Sequence, residues 1–232
     1  MSEPSCRLPD GRAVSIDPGA AGRVACAVVQ VAGITVADDP AVAAATAALG
    51  ADLRTALGDR TPAQIPGLAE ARDLYRSFGM DPSRHRPSSE ALLRRVLKGN
   101  ELYRISNIVD TCNLASLQFL LPIGMYDLDL VRGDVTLRVG EPGEEYAGIR
   151  KGPVHLAGRL GLFDDEGPFG SPTSDSARTC TRDVTTDVLA VIMATAGYPA
   201  ARLAEHAGVF GHLCGRFCGG RSVFQAVLGG SA

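Results

Sequence analysis

The chain has 232 residues, of which 45% are hydrophobic and 21% are charged, as in an ordinary globular domain. This composition excludes wholesale disorder, and the length is sufficient for a substantial buried core. The formal net charge of −3 argues against a generally basic nucleic-acid-binding surface and leaves room only for a local basic patch.

The sequence carries no pattern of a targeting signal or of a membrane span. Residues 1–19 are polar and contain several prolines, without the apolar stretch that a signal peptide needs. The longest apolar stretches, around Val24–Val36 and Val188–Ala196, are too short or too interrupted to cross a bilayer. The six cysteines are scattered along the chain, so we expect reduced thiols and a cytoplasmic protein.

Apolar periodicity and turn residues predict helices and strands in the first half of the chain. A flexible tail is expected over residues 1–19, and the β-branched segment Val24–Val31 predicts a buried strand. Asp39 and Pro40 mark the beginning of an alanine-rich helix that extends to about Leu57. The other predicted elements are a loop at Pro62 and Pro66, and helices over Leu68–Phe78, Glu90–Leu97 (capped by Ser88 or Ser89) and Ser106–Leu120.

The second half of the chain adds strands and a terminal helix. Helices and strands mix without a strict βαβ alternation, which favours an α+β or layered α/β fold over a doubly wound sheet. We divide the chain into the tail (1–19), a main domain (20–198) and a C-terminal helix packed on that domain (199–232). The predicted elements are strands over Asp134–Val139, Val154–Leu156, Leu160–Phe163 and Thr186–Met193, and a helix over Ala200–Phe217.

Several motifs occur in a characteristic order. They read RPSSEALLRR at residues 86–95, ISNIVDTCN at 105–113 and LPIGMYD at 121–127, and TRD at 181–183 leads into an apolar strand. In this combination the chain resembles the B3/B4 domain of the phenylalanyl-tRNA synthetase β subunit, especially its free-standing versions. The resemblance covers residues 70–195 well.

The resemblance implies a single domain with a three-layer β/β/α sandwich. In the synthetase this domain hydrolyses tyrosine that is wrongly esterified to the phenylalanine tRNA, and free-standing copies resemble proofreading modules that act in trans. A complete aminoacyl-tRNA synthetase is not expected, because the chain is too short for the rest of the β subunit. The expected partner is the aminoacylated acceptor end of a tRNA, with no cofactor, no DNA and no membrane.

The chemistry of such a substrate is undemanding, because a neighbouring ribose hydroxyl activates the ester. Positioning a water and stabilising an oxyanion are sufficient for hydrolysis, so amides, hydroxyls and a carboxylate are adequate groups. Asn107, Asp110 and Asn113 recur at helical spacing and share one side of a predicted helix. The polar loop over residues 167–181 offers Asp175 as a general base.

The candidate residues also have structural interpretations. Asn107 could cap its helix, Asp127 could stabilise a turn, and residues 167–181 could be a flexible surface loop. The predicted catalytic residues are Asn107, Asp110, Asp175 and Thr179. The predicted substrate-binding residues are Asn113, Gly124, Met125, Tyr126, Asp127 and Ser174.

Two positions depart from the family pattern. Gly124 stands where the family has a histidine, and the family's acidic residue maps to about Ala177. Without the imidazole, we expect the pocket to gain volume beside Met125 and Tyr126 and to select side chains mainly by size. The departures keep a second hypothesis open, in which the chain binds RNA or an amino acid without hydrolysis.

Basic residues are concentrated between Arg72 and Arg104, although the chain as a whole is acidic. They predict a surface that follows tRNA phosphates, and the alternative is a solvated helix with favourable charges near its C-terminal end. The predicted tRNA-binding residues are Arg84, Arg86, Arg94, Arg95 and Lys98.

Metal binding and cysteine chemistry are not predicted. Cys214 and Cys218 lie near His206 and His212, but no second cysteine pair stands at zinc-finger spacing. Buried free cysteines that pack as small hydrophobic side chains are the better interpretation. Cys180 has no evident partner histidine that would activate it as a nucleophile.

Overall fold

Two β-sheets and a set of helices make up the fold. The computed structural model describes residues 4–58, 60–61, 64–65, 67–149 and 152–231, so the loop predicted at Pro62 and Pro66 lies outside the described residues. The helices are α1 (Pro40–Leu57), α2 (Leu68–Ser77), α3 (Ser88–Leu97), α4 (Asn107–Phe119) and α5 (Ala200–Cys218).

Most strands belong to the two larger sheets. The strands are β1 (Ser5–Arg7), β2 (Ala13–Ile16), β3 (Val24–Ala32), β4 (Ile123–Asp127), β5 (Val135–Val139), β6 (Glu145–Ala147), β7 (Pro153–His155), β8 (Leu160–Asp164), β9 (Gly167–Gly170), β10 (Asp187–Thr195) and β11 (Arg221–Leu228). One sheet has the strand order β1, β2, β5, β8 and β9, the other has the order β11, β3, β10 and β4, and β6 pairs with β7.

The central strand β3 shows how the layers stack. Ala25 and Val29 pack with helix residues in one core, whereas Cys26 and Val28 pack against the five-stranded sheet in a second core. Both faces of β3 are therefore buried, which explains its uninterrupted apolar sequence. The four-stranded sheet is the middle layer, and the predicted three-layer β/β/α sandwich in a single domain is confirmed.

The predicted beginning of α1 is confirmed, whereas the predicted cap of α3 is not. Helix α1 begins where the sequence predicts, and the Asp39 side chain accepts a hydrogen bond from the backbone N–H of Ala41 at 2.8 Å. Helix α3 begins differently from the prediction. Pro87 is at the cap position, and neither Ser88 nor Ser89 caps the helix because both already belong to its first turn.

The N-terminal segment is not the flexible tail that the sequence predicts, because it forms two strands. Within residues 4–19, which were expected to form part of a flexible tail, β1 pairs with β2, and β2 pairs in parallel with β5. Val14 and Ile16 are fully buried between the sheets. The short strands were not recognised because prolines and turn residues surround them and because β5 is far away in the sequence.

Two further strands differ from the sequence analysis. Residues 123–127, where Asp127 was considered as a turn-stabilising side chain, form the edge strand β4, which pairs with β10. The C-terminal region contains α5 as predicted, but the chain then turns at Gly219 and returns as β11 beside β3. Among the described residues, no helix is both long and apolar enough to cross a membrane.

Candidate functional site

Asn107 tethers the beginning of α4 to two other parts of the fold. Its amide nitrogen donates to the backbone oxygens of Thr35 at 2.8 Å and Phe217 at 2.9 Å. Its amide oxygen accepts from the backbone N–H groups of Ala37 and Ile108, both at 2.9 Å. The predicted catalytic amide is therefore fully engaged within the protein, and we assign it a structural role.

Asp110 and Asn113 line a cavity of about 450 Å³ between α1, α4 and the segment 99–104. The Asp110 side chain accepts a hydrogen bond from the backbone N–H of Ile105 at 3.1 Å, and burial raises the pKa of this carboxyl. The rim carries Tyr103, which is 71% exposed. The structure thus places Asp110 and Asn113 at one cavity, whose lining does not include Gly124, Tyr126 or Asp175.

Tyr126 fills the space beside Gly124. The tyrosine is fully buried, and a Cβ atom placed on Gly124 would lie 2.1 Å from its hydroxyl oxygen. A Cβ on Gly170, across the sheet gap, would meet the same oxygen at 2.1 Å. The expectation that Gly124 enlarges a pocket is therefore wrong, because the neighbouring tyrosine occupies that volume.

Asp175 lies next to this tyrosine. Burial raises the pKa of the Asp175 carboxyl to about 7, and the neighbouring Tyr126 hydroxyl lowers it. The hydroxyl has no hydrogen bond of normal geometry among the described residues, although it lies beside the carboxyl. Burial, and then the charge of Asp175, raise the pKa of the Cys112 thiol on α4. The site therefore places a carboxyl with a pKa of about 7 next to a phenol hydroxyl that has no hydrogen-bond partner among the described residues.

Two tyrosines hold the loop that carries Asp175. The Tyr146 hydroxyl donates to the backbone oxygen of Ser174 and to the Ser171 hydroxyl, and the Tyr75 hydroxyl is 2.8 Å from that of Thr173. These hydrogen bonds fix residues 171–174 in place. The interpretation of residues 167–181 as a flexible surface loop does not fit this part of the loop.

The other predicted residues of this region have packing roles. Thr179 is fully buried, its hydroxyl donates to a backbone oxygen of β9, and its own backbone oxygen accepts from the N–H of Asp127 at 2.9 Å. Met125 points to the opposite face of β4, into the core beneath the helices. Of the predicted set, Gly124, Tyr126 and Asp175 are the residues that this site brings together.

Asp127 is an anchor for the segment that enters β10. Its carboxylate, 1% exposed at the residue level, accepts from the Arg182 guanidinium at 2.8 Å and from the Thr185 hydroxyl at 2.6 Å. It also accepts from the backbone N–H of Asp129 at 3.1 Å. Asp127 therefore has the turn-stabilising role that the sequence analysis considered. Its partner Arg182 belongs to the TRD motif at residues 181–183.

The predicted tRNA-binding residues lie on α3 or close to its two ends. Arg84 is paired loosely with Asp81 at 3.9 Å, and the Arg95 guanidinium lies over the Tyr103 ring at 4.0 Å. Lys98 is exposed. Sequence reasoning missed Glu90, which is fully buried and lies within 4 Å of arginines in the same motif.

The two cysteines of α5 pack in the core, whereas His206 is half-buried and His212 is exposed. Cys214 and Cys218 are buried, and His206 stacks on Phe119 with ring centroids 4.3 Å apart. Within the described ranges, no group of three or more histidine, cysteine, aspartate or glutamate side chains is placed to hold a metal ion.

The stacked sheets and the Asp175–Tyr126 site define a layered α/β domain with a buried polar centre at the edge of the middle sheet. A family model described as the B3/4 domain matches residues 70–213, which include every residue of the candidate site. The chain belongs to the B3/4 domain family, and the resemblance noted from the sequence is confirmed.

A solved structure is also similar to the chain. It is an N-terminal fragment of the phenylalanyl-tRNA synthetase beta-subunit from Pyrococcus horikoshii, with 12% sequence identity and a TM-score of 0.48. The alignment covers 98% of this chain and 56% of that one, so the chain spans about half the length of the fragment. A search of curated proteins found no match.

Proposed function

We propose that this chain binds the aminoacylated acceptor end of a tRNA and hydrolyses a wrongly attached amino acid in trans. The observation that carries the proposal is the Asp175 carboxyl, whose pKa is raised to about 7 beside the unpartnered Tyr126 hydroxyl. A general base is most effective when its pKa lies close to the working pH. Membership of the B3/4 family supports a tRNA substrate.

In this mechanism the ionised Asp175 accepts a proton from a water that attacks the ester carbonyl carbon. The C–O bond to the ribose then breaks, and the protonated Asp175 carboxyl gives the proton to the ribose oxygen, which leaves as a hydroxyl. Burial raises the pKa of Tyr126 well above its usual range, so the phenol remains protonated. It is therefore available as a donor to the water or to the developing oxyanion.

The amino acid that fits this site is expected to be small. Tyr126 already occupies the volume between Gly124 and Gly170, and its ring packs edge-on against Phe169 at 4.8 Å between centroids. Admitting a tyrosyl side chain would require this ring to move. An apolar pocket separates substrates that differ by one methylene by about 1–3 kcal/mol, so selection by size is graded.

A second function is favoured by the same tyrosine. Because it closes the space beside Gly124, the chain could bind an RNA or an amino acid without hydrolysing an ester. This binding module would retain the basic residues around α3 and would have no use for the basicity of Asp175.

Deacylation of a panel of misacylated tRNAs by the full chain separates the two functions. We expect hydrolysis above the buffer rate, a loss of about 10²–10⁴-fold in Asp175→Asn, and little change in the exposed control Asp183→Asn. The rate should rise with pH up to about 7 and then level off, since the base must be ionised. Binding of tRNA without hydrolysis would support the binding module, and the absence of both would refute the hydrolase and the binding of tRNA.

A further inference from the structure

Glu90 is a buried carboxylate with three arginines around it. The side chain is 0% exposed, and the Arg72 guanidinium donates to it at 2.8 Å. The Nη1 atom of Arg94 lies 3.6 Å from Glu90 Oε1, and the Nε atom of Arg86 lies 3.8 Å from the same oxygen. The two outer guanidinium groups are therefore neighbours, held by one carboxylate oxygen.

The three arginines are not equivalent. Arg72 is mostly buried and bonded to the carboxylate, whereas the side chains of Arg86 and Arg94 are 42% and 45% exposed. Within the part of the chain that the structure describes, no hydrogen bond engages either of these two guanidinium groups. Their N–H donors are thus available at the surface.

The local charge favours an anion. One carboxylate faces three guanidinium groups, and no other carboxylate among the described residues lies within 4 Å of Arg86 or Arg94. Long side chains on a helix point toward its N-terminus, which brings Arg94 back to the first turn of α3. The helix dipole adds a positive potential there, and Pro87 provides no side-chain cap.

We propose that Arg86 and Arg94 form a phosphate-binding pair that the buried Glu90, fixed by Arg72, holds in position. Guanidinium groups present paired N–H donors that match phosphate oxygens, and a held guanidinium loses less conformational freedom on binding. The inference rests on the proposed function for the source of the phosphate, which is the tRNA backbone. Glu90 is a positioning residue, since it does not touch the ligand.

The substitution Glu90→Gln tests this proposal because two views predict opposite signs. Removing a negative charge from a basic patch should strengthen RNA binding if only the net charge matters. If Glu90 positions the pair, the variant should bind deacylated tRNA about tenfold more weakly, and its log affinity against log salt should flatten by about one unit or more. Asp73→Asn is the matched control, since it makes the same charge change at an exposed pair with Arg76.

The double substitution Arg86→Lys, Arg94→Lys keeps the charge and avoids the buried carboxylate, so it remains informative if Glu90→Gln fails to fold. We expect the lysine variant also to bind tRNA about tenfold more weakly, because an ammonium lacks the guanidinium fork. Unchanged or tighter binding by the lysine variant, or by a folded Glu90→Gln variant, would overturn the positioning of the pair.

Inorganic phosphate distinguishes this proposal from the proposed function. Titration of the wild-type chain should shift the Nε–H NMR signals of Arg86 and Arg94, with a smaller shift in Glu90→Gln. Shifted signals without any tRNA binding would support the phosphate pair and refute the tRNA function. Deacylation that depends on Asp175 but is indifferent to all these variants would refute the pair and leave the proposed function intact.

Discussion

Replacing Gly124 by alanine tests how closely Tyr126 fills the space beside it. The added Cβ would lie 2.1 Å from the tyrosine hydroxyl and 2.8 Å from its Cζ atom, both below any normal contact distance. The ring cannot move freely, since Gly170 presents its backbone to the same hydroxyl and Phe169 packs against the ring. The strain must therefore be relieved by a shift of the strand or of the loop that faces it.

Overpacking of this kind costs about 1–3 kcal/mol in the free energy of unfolding. With a urea m-value of about 2–3 kcal/mol/M for a domain of this size, the midpoint should fall by roughly 0.3–1.5 M. Tyr126→Phe alone should be nearly neutral, because the hydroxyl it removes has no hydrogen-bond partner among the described residues. The double variant should recover part of the loss, with a coupling of about 0.5–2 kcal/mol.

Urea unfolding followed by circular dichroism measures these differences. Gly197→Ala is the control, because a Cβ at that exposed glycine meets no heavy atom within 4 Å, and it should change stability by no more than about 1 kcal/mol. If Gly124→Ala is as mild as this control, or if Tyr126→Phe does not rescue it, the tyrosine does not fill the space as described.

Three further predictions concern polar groups. The pKa of Asp175 is raised from its ordinary 3.8 to about 7 in the folded chain, so the folded state binds this proton more tightly than the unfolded state. The free energy of unfolding should therefore fall as the pH rises from about 4 to about 7. In urea midpoints measured over a pH series, Asp175→Asn should abolish this part of the fall. Arg182→Ala leaves the buried Asp127 carboxylate without its cation and should cost about 1–3 kcal/mol, whereas Arg76→Ala, which breaks an exposed pair, should cost less than about 0.5 kcal/mol in the same assay. Asn107→Ala removes four hydrogen bonds and should lower stability by about 2–4 kcal/mol, and an unaltered thermal midpoint would contradict its structural role.

The sequence was informative where local signals and burial agree. The β-branched strand β3 and the capped helix α1 follow from patterns contained within a few residues. The two N-terminal strands do not, because β2 depends on pairing with β5, which lies far along the chain. Strand β4 was not predicted, since Gly124 has low strand propensity and the pairing of this strand with β10 overrides that preference.

The site was predicted in part for a similar reason. Asp175 and Tyr126 were both chosen from the sequence, but helical spacing alone grouped Asp110 with Asn107, which the fold uses differently. The buried Glu90 was not recognised as a site residue, because its burial depends on how α3 packs against α2 and α4. Helical spacing predicts which residues share a side of a helix, whereas packing between elements decides what that side faces.

Tyr126 connects Gly124 with Asp175. Its hydroxyl occupies the volume that a side chain at position 124 would need, and burial is the largest cause of the raised pKa of the neighbouring Asp175 carboxyl. Its hydroxyl acts in the opposite direction on the same pKa, since it lies beside the charged form. We therefore expect a smaller side chain in place of Tyr126 to admit water beside Asp175 and to lower the pKa of its carboxyl. In the proposed hydrolysis, the same substitution would change both the size of the amino acid that fits and the pH at which the base is ionised.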